Sequence, residues 1–576
     1  MYEKLNRYEQ ILFDACSVIL VLFYAYAAVI KPMATQYHRG VYVIITYLLI
    51  FLIYRSKSKI MRIVDYCLMV LSVGSIGYWI FNFETINYRT GAETELDMVI
   101  AIVGVLIGIE LARRVVGTVF VFIGVVMLVY GIYGYNAPDL ISHAGAPFTE
   151  LCVSIFYKSD GVFGVMASVL STYVILFVLF GAFLEKSGAQ KFFIDWPLAA
   201  VGHKIGGPAK VSVIASGLMG SISGSAIANT VSTGMFTIPM MKKAGFRPHV
   251  AGAIEPAASI GGMFMPPIMG AGGFIMAELT GLPYSRIMLV SIFPALMYFF
   301  SVFVIVHYEA KMHNIVGEKS KHSAMEILKR EWFYTLPLVV ITIFMLTGYS
   351  PAYSAVLGIT TCIVISYFRR ETRIDLPHFI QASREGTINS LKIGATVGII
   401  GIIIGVLTFS GLVLTFADIM IELAGGSLLL TLFLIAFASL ILGMGVPVTA
   451  AYLITAVVAV PALTHLGVNE LAAHMIVYWL SQDSNITPPV CIAAFAGATI
   501  AKANMWKTAF TAFKFAKFLY IGPLIFAYVP GFSLDGSYMD IVKTYIYVFF
   551  GTWLYGWAMS GIWIGSIKRA FTRAVN

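Results

Sequence analysis

The chain has 576 residues, 59% hydrophobic and only 12% charged, with a formal net charge of +9 and a mean hydropathy of +0.86. A soluble protein carries roughly twice that charged fraction, so a water-soluble globule is excluded. Apolar runs of bilayer length recur from end to end and define an all-α, polytopic membrane protein. The basic residues fall in short clusters between those runs, which suits membrane-flanking loops and excludes a nucleic-acid face.

In chain order, full-length spans are expected at about 11–31, 41–54, 64–81, 98–112, 115–135, 161–184, 248–278, 286–308, 332–348, 351–368, 387–412, 470–500, 508–528 and 541–565. The N-terminal MYEKLNRYEQ is not followed by a cleavage site, so the first span is read as staying attached. Cys16, Cys67, Cys152, Cys362 and Cys491 are widely spaced and form neither a disulfide framework nor a metal-ligand pattern. Two apolar stretches, 207–240 and 428–462, are too long for one span, and each is interrupted midway, by GSISGSA and GMGVP.

Basic loops set the orientation. RSKSKIMR (55–62), Arg113-Arg114, the 307–331 loop, the 369–373 cluster and the tail KRAFTR are placed in the cytoplasm with both termini. The segments 83–97, 136–160 and 529–540 are placed outside. This topology closes only if 207–240 and 428–462 are re-entrant hairpins. The first, followed by MKKAGFRPH, opens to the cytoplasm; the second, followed by THLGVNE, opens outward. Two like units of opposite orientation make an inverted repeat. A shift of 222 positions aligns Thr233 with Thr455, Pro239 with Pro461, Gly245 with Gly467, Ser259 with Ser481 and Pro266-Pro267 with Pro488-Pro489, without a gap.

The polar stretches lie in these units. EPAASIGGMFMPPIMGAGG (255–273) follows the first hairpin and SQDSNITPPV (481–490) follows the second. Proline removes a helical N–H and clashes with the preceding turn, so each Pro-Pro splits its span into two half-helices. The break exposes carbonyls on one half and N–H groups on the other. Carbonyls with Ser, Thr, Asn and Asp oxygens suit a small hard cation such as Na⁺, and the N–H groups suit an anion. Asp483, about a dozen residues into its span, is a functional candidate by depth alone. Glu255 is the other deep acid, a site for a proton or a support for a cation ligand, or an acid pairing near the interface. Glu110 beside Arg113 and Arg114 is read as an interfacial ion pair, and His474 as a packing residue. No Gly-Lys dipeptide, HExxH or GxSxG occurs, so nothing points to ATP hydrolysis or another enzyme activity.

The stretches SISGSAIANT, GMFTIPMMKKAGFRPHVAGAIEPAASIGGMFMPPIMGAGGFIMAE, GMGVPVTAAYL and DSNITPPVCIAAFAGA closely resemble the large membrane subunit of tripartite ATP-independent periplasmic (TRAP) transporters. With four extra N-terminal helices, the chain resembles the fused membrane subunit that works with TAXI-type binding proteins. The resemblance implies a four-helix small-subunit-like domain at 1–114, a connecting helix and periplasmic segment at 115–160, and a transport and scaffold core at 161–530. Within that core, repeat 1 is expected at about 207–308 and repeat 2 at about 428–528, with a last helix and tail at 531–576.

The resemblance further implies an elevator-type carrier in a bacterial or archaeal cytoplasmic (inner) membrane. Ser221, Ser223, Gly224, Ser225 and Asn229 would form the cation and substrate tip of the first hairpin, with Ser259, Gly261 and Gly262 beside it. Gly443, Gly445, Pro447 and Thr449 would form the second tip, with Asp483, Asn485 and Thr487. The expected function is secondary uptake of a small carboxylate by Na⁺ symport, the substrate arriving on a soluble TAXI-type binding protein, with membrane lipid around it and no ATPase subunit or nucleic acid. One departure stands out: Ile260-Gly261-Gly262 faces Gln482-Asp483-Ser484 across the repeat, so one half alone has the carboxylate. H⁺ coupling through Glu255 is the alternative, as is a stand-alone divalent-anion/sodium symporter. A membrane enzyme or assembly scaffold is the reading from another class.

Overall fold

The computed structural model describes residues 2–56, 58–444 and 446–561. Gly445, among the expected tip residues, and the basic tail lie outside the described residues. Among those described, the regular structure is helical apart from one isolated bridge between Ile205 and Val316. Nine helices there are long and apolar enough to cross a membrane.

Helix starts follow the local chemistry. Asn6 with Glu9 and Thr94 with Asp97 form capping boxes at Arg7–Val29 and Glu95–Val115, each satisfying end N–H groups that would otherwise have no acceptor. Within the spans Leu, Ile, Val, Phe and Ala predominate, and hydroxyls such as Ser17 and Ser291 are satisfied on carbonyls four residues back, Phe13 and Ile287.

Five helices recur at a constant spacing. Ala189–Val201, Gly207–Ser223, Ala226–Lys243, Pro248–Gly261 and Gly270–Thr280 correspond to Leu412–Leu423, Leu428–Leu442, Val448–His465, Glu470–Leu480 and Ile492–Ala501. For the third pair a shift of 222 residues carries both bounds, 226 to 448 and 243 to 465. Backbone peculiarities recur at the same spacing. Pro266-Pro267 and Pro488-Pro489 are both cis, Met269 and Cys491 both have positive φ (58° and 33°), and Gly245 and Gly467 share the left-handed region (107° and 88°). The helices 189–201 and 412–423 precede the two hairpins and were not expected from hydropathy. They are short and carry Lys191, Asp195, Asp418 and Glu422.

Packing divides the chain into two lobes and an N-terminal unit. In the core lobe, both arms of the first hairpin pack on Pro248–Gly261, which packs in turn on Ile492–Ala501 and Met505–Phe515. Glu470–Leu480 packs between the second hairpin and Phe518–Tyr528. In the second lobe, Ile175–Lys186 lies against Leu376–Gly394 and Pro351–Ser366, and Thr118–Tyr133 against Val397–Phe409. The N-terminal helices Arg7–Val29 and Thr35–Ile53 pack on Leu376–Gly394 of this second lobe. There Arg384 grips Asp14 with two bonds of 2.6 and 2.7 Å. The last helix, Tyr538–Ser560, runs along Tyr284–Met312 of the core lobe through stacked pairs Phe293–Tyr545 (3.7 Å) and Phe300–Phe549 (4.7 Å).

Candidate polar site at the two helix breaks

Glycine lets each hairpin lie directly on a break. A Cβ on Gly262 would fall 2.3 Å from the Gly220 Cα, and one on Gly224 would fall 3.0 Å from the Gly270 Cα. The first hairpin therefore meets the first broken helix backbone to backbone. In the second unit a Cβ on Gly443 would fall 2.5 Å from the Ser484 side chain. Gly261 is held the same way by Phe299 and Tyr298.

The two breaks use their polar groups differently. At the first, tyrosines occupy the carbonyls freed by the break. The one hydroxyl proton of Tyr478 is shared between Met263 O (2.8 Å) and Met269 O (2.6 Å), and that of Tyr284 between Pro267 O (2.9 Å) and Ile268 O (2.6 Å). At the second, Gln482 and Asp483 keep side-chain atoms without protein partners. Gln482 is 0% exposed and Asp483 1%, yet Gln482 Oε1 and Nε2 and Asp483 Oδ1 have no hydrogen-bond partner. Thr449 Oγ1 on the facing hairpin is buried and unpartnered as well. Polar atoms left so in a dry interior cost roughly 1–3 kcal/mol each.

The other expected residues divide between occupied and open. Ser221 donates to Leu218 O, and Ser225 caps its helix by accepting from Ala228 N. Ser223 is exposed at the tip, and Pro447 begins the return arm of the second hairpin. Asn229 Nδ2 donates to Ser216 O at 2.9 Å, leaving its Oδ1 and the Ser259 Oγ unpartnered. Asn485 Nδ2 donates to Gln482 O at 3.3 Å. Thr487 Oγ1 is shared with the Tyr520 hydroxyl at 2.7 Å.

Glu255 is fully buried and surrounded by hydroxyls. Ser212 and Thr237 donate to its Oε2, and Ser216 and Thr233 to its Oε1. The four come from both arms of the first hairpin, so this carboxylate clasps the hairpin to the broken helix. At the positions shifted by 222 stand Leu434, Ala438, Thr455, Ala459 and Val477, which cannot rebuild the clasp. Glu110 pairs with Arg113 (2.7 Å) and Arg114 (2.6 Å), and His474 Nδ1 lies 3.0 Å from the Tyr452 hydroxyl.

Gln482, Tyr478, Tyr284 and the four hydroxyl residues were not among the sequence candidates. The hydroxyl pairs did leave a signal, since Ser212/Ser216 and Thr233/Thr237 are each four apart on one helix face. Among the described residues no cluster of three or more His, Cys, Asp or Glu is placed to hold a metal ion. Asp483 Oδ1, Gln482 Oε1 and Thr449 Oγ1 are instead buried hard oxygens, each without a hydrogen-bond partner, of the chemical type that alkali cations accept as ligands.

A helical membrane protein with paired hairpins, paired broken helices and unsatisfied polar atoms buried between them belongs to the broken-helix class of transport proteins. The family model for the DctM component of the tripartite ATP-independent periplasmic transporter matches residues 96–532. The chain belongs to this family and is a multi-pass TRAP large permease; permeases of this family work with a periplasmic substrate-binding protein. The match begins inside the helix Glu95–Val115 and ends before Tyr538–Ser560.

Among curated relatives, the C4-dicarboxylate TRAP transporter large permease protein DctM of Pseudomonas aeruginosa is 26% identical over 371 residues, 62% of this chain and 84% of that one. The 2,3-diketo-L-gulonate TRAP transporter large permease protein YiaN of Escherichia coli is 24% identical over 360 residues, covering 62% and 83%. Among solved structures, the YdaH transporter of Alcanivorax borkumensis is similar at 16% identity and a TM-score of 0.47, covering 75% of this chain and 98% of that one.

Proposed function

We propose that this permease is a fused TRAP membrane subunit that imports a small carboxylate by Na⁺ symport, as a carrier rather than an enzyme. A TAXI-type binding protein delivers the substrate at the outer face of the inner membrane, and both termini lie in the cytoplasm. The observation that carries the reading is the second break, where Gln482 and Asp483 keep buried polar atoms with no protein partner. Na⁺ bound by Asp483 Oδ1, Gln482 Oε1 and Thr449 Oγ1 would satisfy the oxygens. The Gln482 amide N–H and the N-terminal end of Ile492–Ala501 favour an anionic group nearby. Substrates named for the relatives, C4-dicarboxylate and 2,3-diketo-L-gulonate, are acids of the kind such a site would take.

In this reading the core lobe moves as an elevator against the second lobe, with the hairpins re-entrant and the two repeats inverted. The first hairpin's tip supports an inward-displaced position. Gly181, against which Ile222 lies, is near the end of Ile175–Lys186 that the basic-loop rule puts at the cytoplasm. Proton coupling at Glu255 is the second reading, favoured by a buried carboxylate with no cationic partner. Uptake into proteoliposomes separates the readings. With loaded binding protein outside, a Na⁺ gradient is expected to drive accumulation and a pH gradient alone is not; the reverse result would transfer coupling to the proton.

A further inference from the structure

Arg39 lies on Thr35–Ile53 of the N-terminal unit. Its guanidinium donates to the Phe163 carbonyl at 2.6 Å and to Ser168 Oγ at 3.1 Å. Ser168 is 7% exposed, and its hydroxyl donates onward to Glu278 Oε1 at 2.9 Å. A serine has one proton to give, so accepting from Arg39 and donating to Glu278 uses it fully. Glu278 belongs to Gly270–Thr280, the second half of the first broken helix. One buried hydroxyl thus connects a cation of the N-terminal unit to a carboxylate of the core lobe.

The helix that carries Ser168 is shaped for this contact. Leu170–Val174 forms a π turn, a distortion that is uncommon and concentrated at functional positions. Residues five apart point about 140° away from each other on a regular α-helix, and the wider turn brings Ser168 and Tyr173 much closer to one face. Tyr173 and Phe177 then stack on Phe274 at 5.6 and 4.8 Å, and Phe274 stacks on Tyr284 at 4.4 Å. The aromatic contacts can slide without losing much, because apolar packing has little directionality. The hydrogen-bonded relay cannot, since its bonds fail within about an ångström of displacement.

We propose that Arg39, Ser168 and Glu278 form a latch by which the N-terminal unit holds the core lobe in the position seen here. The proposal rests on the moving-lobe reading above, and it gives the N-terminal helices a part in setting the transport equilibrium.

The test uses the full chain in nanodiscs with spin labels at Leu376→Cys and Lys507→Cys, one on each lobe, in a Cys16→Ser/Cys67→Ser background. Distance distributions are recorded in Na⁺ and in choline. Two lobe positions are expected, and Glu278→Gln or Ser168→Ala should shift their ratio about fivefold away from the present position. Arg39→Gln should add nothing further to Glu278→Gln, because both break one relay. Glu278 is exposed and Ser168→Ala removes one atom, so neither variant endangers folding. Two positions in unchanged ratio in both variants would overturn the latch and leave the moving lobe standing. A single position in every sample would overturn the latch together with the moving-lobe reading.

Discussion

At Gly262 a hydrogen in place of a side chain is what lets the first hairpin lie on the first break, since the Gly220 backbone is already 2.3 Å from where a Cβ would sit. Gly262→Ala is therefore expected to destabilise by about 1–3 kcal/mol, read as a lower unfolding temperature. Gly77→Ala, with nothing within 4 Å, should be close to neutral, and equal effects would contradict the packing argument. Glu255 acts at the same scale through its four hydroxyl donors. Glu255→Gln keeps one acceptor and lets two hydroxyls reverse, so it should destabilise by about 1–3 kcal/mol, and Glu255→Ala by more. If Glu255 is a clasp rather than the coupling site, Glu255→Gln keeps the Na⁺ concentration for half-maximal stabilisation; loss of that response would contradict it.

The broken helices depend on groups borrowed across the lobe. Tyr478, on the second broken helix, donates to carbonyls 215 and 209 residues away on the first. Tyr478→Phe deletes one oxygen and removes the donor that the two carbonyls share, so the expected loss is about 1–3 kcal/mol. Tyr452→Phe, whose hydroxyl meets His474, should lose less. This pair also marks how far the sequence could be read. The Pro-Pro breaks, the paired helices around 220–225 and 443–447, and the depth of Asp483 were legible because proline and deep charge act on their own segment. Tyr478 and Tyr284 were not, because their acceptors lie on other elements and no local pattern announces them. Gln482 could be aligned with Ile260, but what sets it apart is the lack of a side-chain partner, which three-dimensional packing alone reveals. The helices 189–201 and 412–423 escaped because short amphipathic segments fall below a span-length hydropathy signal.

On the scale of the whole molecule, the two repeats share a backbone plan but divide the chemistry. The first fills its break with tyrosine hydroxyls and clasps its hairpin with Glu255. The second leaves Gln482 and Asp483, and Thr449 on its hairpin, with buried polar atoms that have no hydrogen-bond partner. In the proposed reading, the second break is the ion site and the first a rigid anchor. The direct measurement is thermal unfolding of the purified chain as Na⁺ rises, with choline holding ionic strength constant. Saturable stabilisation reaching about 2.7 kcal/mol at 100 times the dissociation constant is expected, and Asp483→Ala should abolish it while Glu255→Gln leaves it in place. No stabilisation by Na⁺, or stabilisation that survives in Asp483→Ala, would contradict a cation site at the second break.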